Sequence, residues 1–429
     1  MKKILQAILF LLLCSNAYAT DQVVVGNSAF ALSASATRYN SFCGILSSTA
    51  RQCIVSSDGN IKNLRIVLTS APGAGKSFTF TVQKNLVDTA LTCAITDTST
   101  SCSDLSNSFS VSSGDLLLIT AVPSGTPTTS IFHFSYIFDS TNDNESIFSE
   151  YGGATLNTNT YCPLWGVTAA GACDTSEDDV KSVIATSGTI KNLFVKLTAT
   201  GVNVCDSVIT VNKNGSNTAI TCSCVGVTTC TCSDTSNSIT VVSGDVITLQ
   251  VSSGATDTAN AGADSSSIGL TFIADTPGDF MLTSNVQSSV SAANTEYFEV
   301  QNATGAPTTT EADEDQLGQT MTVKKVYYNA PVSTPGAGKS YLFTLRRNDT
   351  TDTAIALTVS DSELADNFAA DVTISNDDLL DTSIVPSGTP TALAEFGLTY
   401  LACVECAAAA TGTADTRASG VWMSGVWIR

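Results

Sequence analysis

The chain has 429 residues and a net charge of −20, with only 19 Lys and Arg against 39 Asp and Glu. Such a balance disfavours nucleic acid and anionic membrane surfaces as partners. Only 14% of residues are charged. The abundance of Ser, Thr, Gly and Val marks strands and turns rather than helices, at a length that suits about two to four domains.

Residues 1–19, MKKILQAILFLLLCSNAYA, read as a secretory signal peptide: two lysines, an apolar run from Ile4 to Leu13, and an Ala17-Tyr-Ala19 cleavage site before Thr20. A lipid anchor at Cys14 fits less well, because Leu13 stands where a small residue is expected. No later stretch is apolar enough to span a bilayer as a helix. The expected localisation is secreted, extracellular or at a cell surface, and the short signal peptide has a bacterial look.

Val23-Val-Val25 and Phe30-Ala-Leu32 then lead into a run of short strand candidates. These are Leu64–Leu68, Ser77–Val82, Ala90–Ile95, Ser108–Val111, Leu116–Val122 and Phe132–Phe138. Between the first two lies PGAGKS at 72–77, which returns at 335–340. The run resembles a nucleotide-binding P-loop, but Ser70 and Ser333 occupy the place of its first glycine. The segments on its carboxyl side, Ser77-Phe-Thr-Phe-Thr-Val82 and Ser340-Tyr-Leu-Phe-Thr-Leu345, alternate with a period of two. A strand offers no helix N-terminus to a phosphate, so the expected structure is a Pro-Gly turn entering a strand.

The repeated hexapeptide belongs to a larger repeat. Residues 71–128 and 334–391 align at an offset read as a constant 263, sharing Asp-Thr-Ala (Asp88, Asp352), Asp-Leu-Leu (Asp115, Asp378) and PSGTPT. A middle copy repeats Gly59-Asn-Ile-Lys-Asn-Leu64 as Gly188-Thr-Ile-Lys-Asn-Leu193, and Cys102-Ser-Asp-Leu-Ser-Asn-Ser108 as Cys232-Ser-Asp-Thr-Ser-Asn-Ser238. In that copy Cys205 stands in the place of Lys76. The predicted organisation is an all-β protein of three tandem jelly-roll-like β-sandwich domains (20–145, 146–279 and 280–406) and a tail at 407–429. An immunoglobulin-like strand order is the alternative.

Thirteen cysteines follow the signal peptide, and in an exported chain they are expected to form disulfides. Cys93 and Cys102 recur as Cys222 and Cys232, and at the 263 offset both are replaced together, by Ala356 and Ala365. A hairpin with its loop at 225–229 would place Cys222–Cys232 and Cys224–Cys230 as neighbouring rungs. Cys43–Cys53 and Cys162–Cys173 close two further small loops. Cys205, Cys403 and Cys406 remain unassigned thiols, a surplus that favours a covalent link to another chain. The C-S-C…C-T-C spacing suits zinc less well than disulfides in an exported chain, so no metal and no cofactor is expected.

The single histidine, His133, lies in an alternating strand and is expected to be exposed, with no Ser-His-Asp set repeated across the copies. The expectation is therefore a protein that is not an enzyme and has no catalytic residues. Acidic loops at 139–145, 177–179 and 311–315 read as solvated loops, oxygen-rich enough to raise the question of calcium. Asn144, Asn302 and Asn348 begin glycosylation sequons. The tail ends in an apolar, strand-prone segment, with Val421, Trp422, Met423, Val426, Trp427 and Ile428. Such a segment suits addition to a neighbour's sheet, or folding back on the third copy.

The set PGxGKSxxFTV, CSDxSNS, SGD and PSGTPT resembles the tandem β-sandwich repeats of secreted bacterial surface proteins and phage structural proteins. That resemblance implies a structural or binding role. The reading it supports is a subunit of an extracellular filament or surface sheath. Its modules would stand in a row and assemble head to tail with copies of the same chain, by terminal-strand addition and intermolecular disulfide. A monomeric secreted adhesin or carbohydrate-binding protein, with glycans as partners, is the alternative.

Overall fold

A computed structural model describes residues 19–152, 160–166, 173–198, 205–226, 229–253, 265–304, 307–330, 333–404 and 406. Residues 1–18 of the expected signal peptide (1–19) and the tail at 407–429, including the six residues of the candidate assembly strand, lie outside them. The described chain is almost all strand.

Alternation decides which elements form. In Gly59–Leu68 every core-facing position is glycine, isoleucine or leucine, and the intervening ones are half-exposed. This gives one face to a core and one to a neighbour. The first unit runs β1 (Ala19–Asn27), β2 (Arg38–Ser41), β3 (Gly44–Ser47), β4 (Cys53–Ile54), β5 (Gly59–Leu68), β6 (Gly73–Lys84), β7 (Val87–Asp97), β8 (Ser101–Val111), β9 (Leu116–Ser124) and β10 (Phe132–Asp143). They pair as β1-β10-β5-β8 in one sheet and β3-β2-β9-β6-β7 in the other, with β4 beside β9. Counting the eight principal strands in chain order, the sheets read 1-8-3-6 and 2-7-4-5. Chain neighbours thus alternate between sheets at most steps, which defines a jelly roll.

The second unit repeats this order. Glu145–Gly152, Ser265–Ala274, Gly188–Thr198 and Thr229–Val241 make the first sheet. Thr160–Cys162, Val246–Ser253, Cys205–Lys213 and Ser216–Gly226 make the second. The third does the same with Asp279–Val286, Phe396–Cys403, Met321–Asn329 and Ala365–Ile374 facing Glu296–Phe298, Leu379–Ser387, Gly336–Arg347 and Thr351–Asp361. The jelly-roll order, not the immunoglobulin-like one, is the fold.

The three units do not stand in a row; they close on one another. The short segment after each unit's second loop docks on the 1-8-3-6 sheet of the next. From the first unit, the Ile54 carbonyl accepts from Ser149 Oγ (2.9 Å) and the Ser56 carbonyl from Thr271 Oγ1 (2.9 Å). From the second, the Lys181 carbonyl accepts from Asn285 Nδ2 (3.2 Å), while Ala185 N approaches Met281 Sδ (3.2 Å). From the third, the Asp315 carbonyl lies 2.6 Å from His133 Nδ1 and 3.2 Å from Asn27 Nδ2. The same patch meets the same sheet three times, so a head-to-tail interface closes into a ring within one chain.

Ring closure explains strands that a lone sandwich would not bury. Asp279–Val286 and Phe396–Cys403 are buried at every position, and β1 is buried from Val23 to Asn27. One face of each fills its own sandwich and the other meets a neighbouring unit. Val23 and Val25 pack in the third unit's cluster with Phe280 and Leu282, whereas Val24 packs in the first unit's. Glycine is required where backbones meet: a Cβ on Gly397 would lie 2.4 Å from the Lys181 carbonyl, and one on Gly269 3.1 Å from the Ile54 carbonyl.

One register differs from the sequence alignment. Phe80 faces Cys93 in the first unit, and Phe343, 263 residues later, faces Leu357 rather than Ala356. The turn after Arg347 is one residue longer than that after Lys84, since Lys84 pairs with Val87 but Arg347 with Thr351. The offset is therefore 264 across that strand, and a buried leucine replaces the half-cystine.

Candidate functional site

PGAGKS opens a strand in both units that carry it, β6 and Gly336–Arg347, and no helix succeeds it. Gly73 and Gly75 have φ of 100° and 72°, and Gly336 and Gly338 95° and 70°, values open to glycine and strained for other residues. The Gly75 amide donates to Asp97 Oδ1 and the Gly338 amide to Asp361 Oδ1, each at 2.6 Å. PSGTPT is the other half of the same tip. The Thr128 amide donates to the Pro72 carbonyl (2.9 Å) and the Thr391 amide to the Pro335 carbonyl (2.8 Å). A Cβ on Gly125 would lie 2.8 Å from the Gly75 carbonyl. The Gly75 and Gly338 amides are spent on a carboxylate of the same unit, and a strand rather than a helix comes next, so the two motifs build a turn.

The aspartate of the SGD motif is a staple present in all three units, the third carrying Asn376-Asp-Asp378 in place of Ser-Gly-Asp. Asp115, Asp245 and Asp378 accept from Asn85, Asn214 and Asn348 Nδ2 at 2.7, 2.7 and 2.8 Å. Each asparagine in turn accepts the amide of Leu116, Val246 or Leu379 at 2.9, 2.8 and 2.9 Å. Lys84, Lys213 and Arg347 stand beside the same carboxylates at 3.5, 2.8 and 3.6 Å. The sequence signal for this set is a Lys-Asn, Lys-Asn, Arg-Asn pair at matching turns, with each asparagine at positive φ. Within CSDxSNS, Asp104 accepts the amides of Thr92, Ser106 and Asn107. Burial pushes its pKa up, but these bonds and that from the Asn107 side chain outweigh it and hold the carboxyl below its usual range. Asp234 repeats the arrangement.

Two sequons are structural. Asn348 uses its side-chain amide in the staple, and Asn302, buried, donates to Glu299 Oε2 at 2.5 Å. A glycan would take one of the two hydrogens of either amide, and at buried Asn302 it would have to displace the surrounding packing.

Cys43–Cys53, Cys93–Cys102, Cys162–Cys173 and Cys222–Cys232 are bonded. The expected hairpin rungs need correction. Ser216–Gly226 and Thr229–Val241 belong to different sheets, so no hairpin ladder joins them, and the Cys222–Cys232 bridge ties sheet to sheet. Cys224 does not bond Cys230. It is a buried free thiol, 3.0 Å from Cys232 Sγ, with its pKa pushed up to about 12 by burial, while Cys230 is disulfide-bonded elsewhere. Cys403 and Cys406 are not free thiols but bond each other at the end of the third unit. Cys205 begins a strand of the second unit; its side chain lies outside the described part.

His133 is buried rather than exposed, because its strand is held between the first sandwich and the third unit. The acidic segments at 177–179 and 311–315 occupy matching 3₁₀ turns. In the third unit, one carboxylate oxygen from each of Glu311, Asp349 and Asp381 comes together within 4.8 Å. Asp381 replaces what is Thr248 in the second unit, where the hydroxyl donates to Glu177 Oε1 at 2.7 Å. Burial first, then the charges of Glu311 and Asp315, push the Asp381 carboxyl far above its ordinary 3.8. Glu150, Cys162 and Cys173 also cluster, but the two sulfurs are bonded to each other and hold no thiolate for a metal.

No family model and no curated protein matches the sequence. Among solved structures, a similar chain is described as "The Triple Jelly Roll Fold and Turret Assembly in an Archaeal Virus". It is 11% identical, the match covers 81% of this chain and 78% of that one, and the TM-score is 0.18. The jelly-roll assignment rests on the strand orders given above.

Proposed function

We propose that the protein is a structural subunit of an extracellular filament or surface sheath, each chain contributing one closed ring of three jelly rolls. The observation that carries this reading is the ring itself. Interfaces of the kind that join separate subunits are here built into one chain, and cross-sheet disulfides and repeated staples stiffen its parts. Rigid, multivalent blocks of this kind suit repetitive assembly.

The amino-terminal strand β1 is the last of its own sheet, but it is buried from Val23 to Asn27 against the third unit, which argues against it as the joint between chains. The joint then falls to the tail at 407–429 or to the outer strands β7, Ser216–Gly226 and Thr351–Asp361, each the last strand of its sheet among the described residues. Addition of a strand to such an edge supplies backbone hydrogen bonds along its length.

Electron microscopy of the native secreted protein, with and without residues 407–429, tests this. Assemblies that vanish on truncation support the tail as the joint. Assemblies that persist support the subunit role with the joint at an outer edge. Dispersed single particles in both samples overturn the proposal.

A further inference from the structure

The geometry points to a calcium site in the third jelly roll, made by Glu311, Asp349 and Asp381. Three elements converge there: the 3₁₀ turn Glu311–Asp313, the turn after Arg347, and the strand Leu379–Ser387. One oxygen from each carboxylate lies within 4.8 Å of the other two. Calcium holds oxygens at 2.3–2.6 Å, so two ligands of one ion stand at most about 4.6–5.2 Å apart, and three oxygens this close can share it. Calcium accepts an irregular set of carboxylates on flexible turns, whereas magnesium demands near-ideal octahedral geometry and keeps its waters.

Asp381 supplies a second, independent indication. It is 0% exposed, neither of its oxygens receives a bond from an N–H or hydroxyl donor, and its one polar partner is the Glu311 carboxyl, itself a member of the cluster. A buried carboxylate is ordinarily satisfied by donors, and one without them is costly. Its neighbours sharpen the imbalance. Four carboxylates, those of Glu311, Asp349, Asp352 and Asp381, surround the single guanidinium of Arg346, which pairs with Glu311 and Asp352. A divalent cation between the first two elements and Asp381 would satisfy both oxygens and reduce the excess negative charge. Asp349 is exposed, Glu311 half-buried and Asp381 buried, so the site opens to solvent on one side and is deepest at Asp381. Neither the first nor the second unit can form it, since Leu118 and Thr248 occupy the corresponding strand positions.

The test is calorimetric titration of the full secreted chain, stripped with chelator, with calcium chloride at neutral pH, beside its melting temperature with and without calcium. Extracellular calcium modules bind with Kd of roughly 10⁻⁴–10⁻³ M, so millimolar calcium covers the range. The wild type is expected to bind one ion and melt higher in calcium. Asp381→Asn keeps the size of the side chain and removes its charge. It should fold at least as stably without calcium and lose the calcium shift, with affinity reduced by tenfold or more. Asp349→Asn, at an exposed turn, should weaken binding without affecting folding. No heat and no shift in the wild type, or an equal shift in Asp381→Asn, would overturn the site.

Discussion

The first and third jelly rolls share strand order and staples but differ in what locks their sheets together. The first has Cys93–Cys102 across its sheets and Cys43–Cys53 in its loop. At the position of Cys93 the third has Leu357, packed with Val359 and Phe343. An aromatic group of Phe298, Tyr328, Phe343 and Phe396, with ring centroids 5.1–5.7 Å apart, fills its centre. The difference teaches that the cystine is exchangeable, since apolar packing holds the same two sheets. The Asn–Asp staple recurs in every unit, because the turn at its foot has backbone amides that need an acceptor.

The largest expected effect comes from reducing the disulfides. Cys43–Cys53, Cys93–Cys102, Cys162–Cys173 and Cys222–Cys232 each close a loop of about ten residues and are each worth about 2.5–3 kcal/mol by chain entropy. Under reductant, hydrogen exchange should speed up first in residues 19–143 and 145–274, and least in 279–404. If all three regions lose protection together, the ring is one cooperative unit and the comparison between units fails as a measure of local stability.

A second test opens the ring without touching any lock. Gly397→Val places a side chain against the Lys181 carbonyl, at a site where even a Cβ would come within 2.4 Å. The cost is expected to be about 1–3 kcal/mol, read as a lower melting temperature and new proteolytic cleavage between the second and third units. An unchanged melting temperature and digestion pattern would mean that this interface adds little to the lock inside each sandwich.

The smallest effect is a dependence on pH at the contact between third and first units. Glu299 is buried there, and burial raises its pKa from 4.5 to about 7, with bonds from Asn302 and Asn27 opposing the shift. The native state therefore holds a proton that the unfolded chain releases. The stability this contributes is full below about pH 4.5 and lost as pH rises through about 7. Melting temperature should fall between pH 5 and 8, and Glu299→Gln should flatten that fall. An unaltered slope in the variant would assign the dependence to other groups, Asp381 first.

Strands and repeats are legible in the sequence because they depend on neighbours in the chain. The alternation in Ser77–Val82 specifies β6 and rules out a P-loop helix, and the recurrence of PGAGKS and PSGTPT marks the units. Cysteine spacing points to the loop bridges for the same local reason. It misleads at Cys224, because spacing alone suggests a hairpin where the chain crosses between sheets, a choice set by the whole strand order.

What only the tertiary structure decided is what lies far apart in the chain. The sequence by itself determined an all-β chain of three similar sandwiches, since period-two alternation and turn residues act over a few positions. It could not place Lys181 against Gly397 or Asp315 against His133, nor bring Glu311, Asp349 and Asp381 within 4.8 Å. Those meetings arise from ring closure and from the packing of turns on strands, where residues are neighbours in space without any local pattern to announce it.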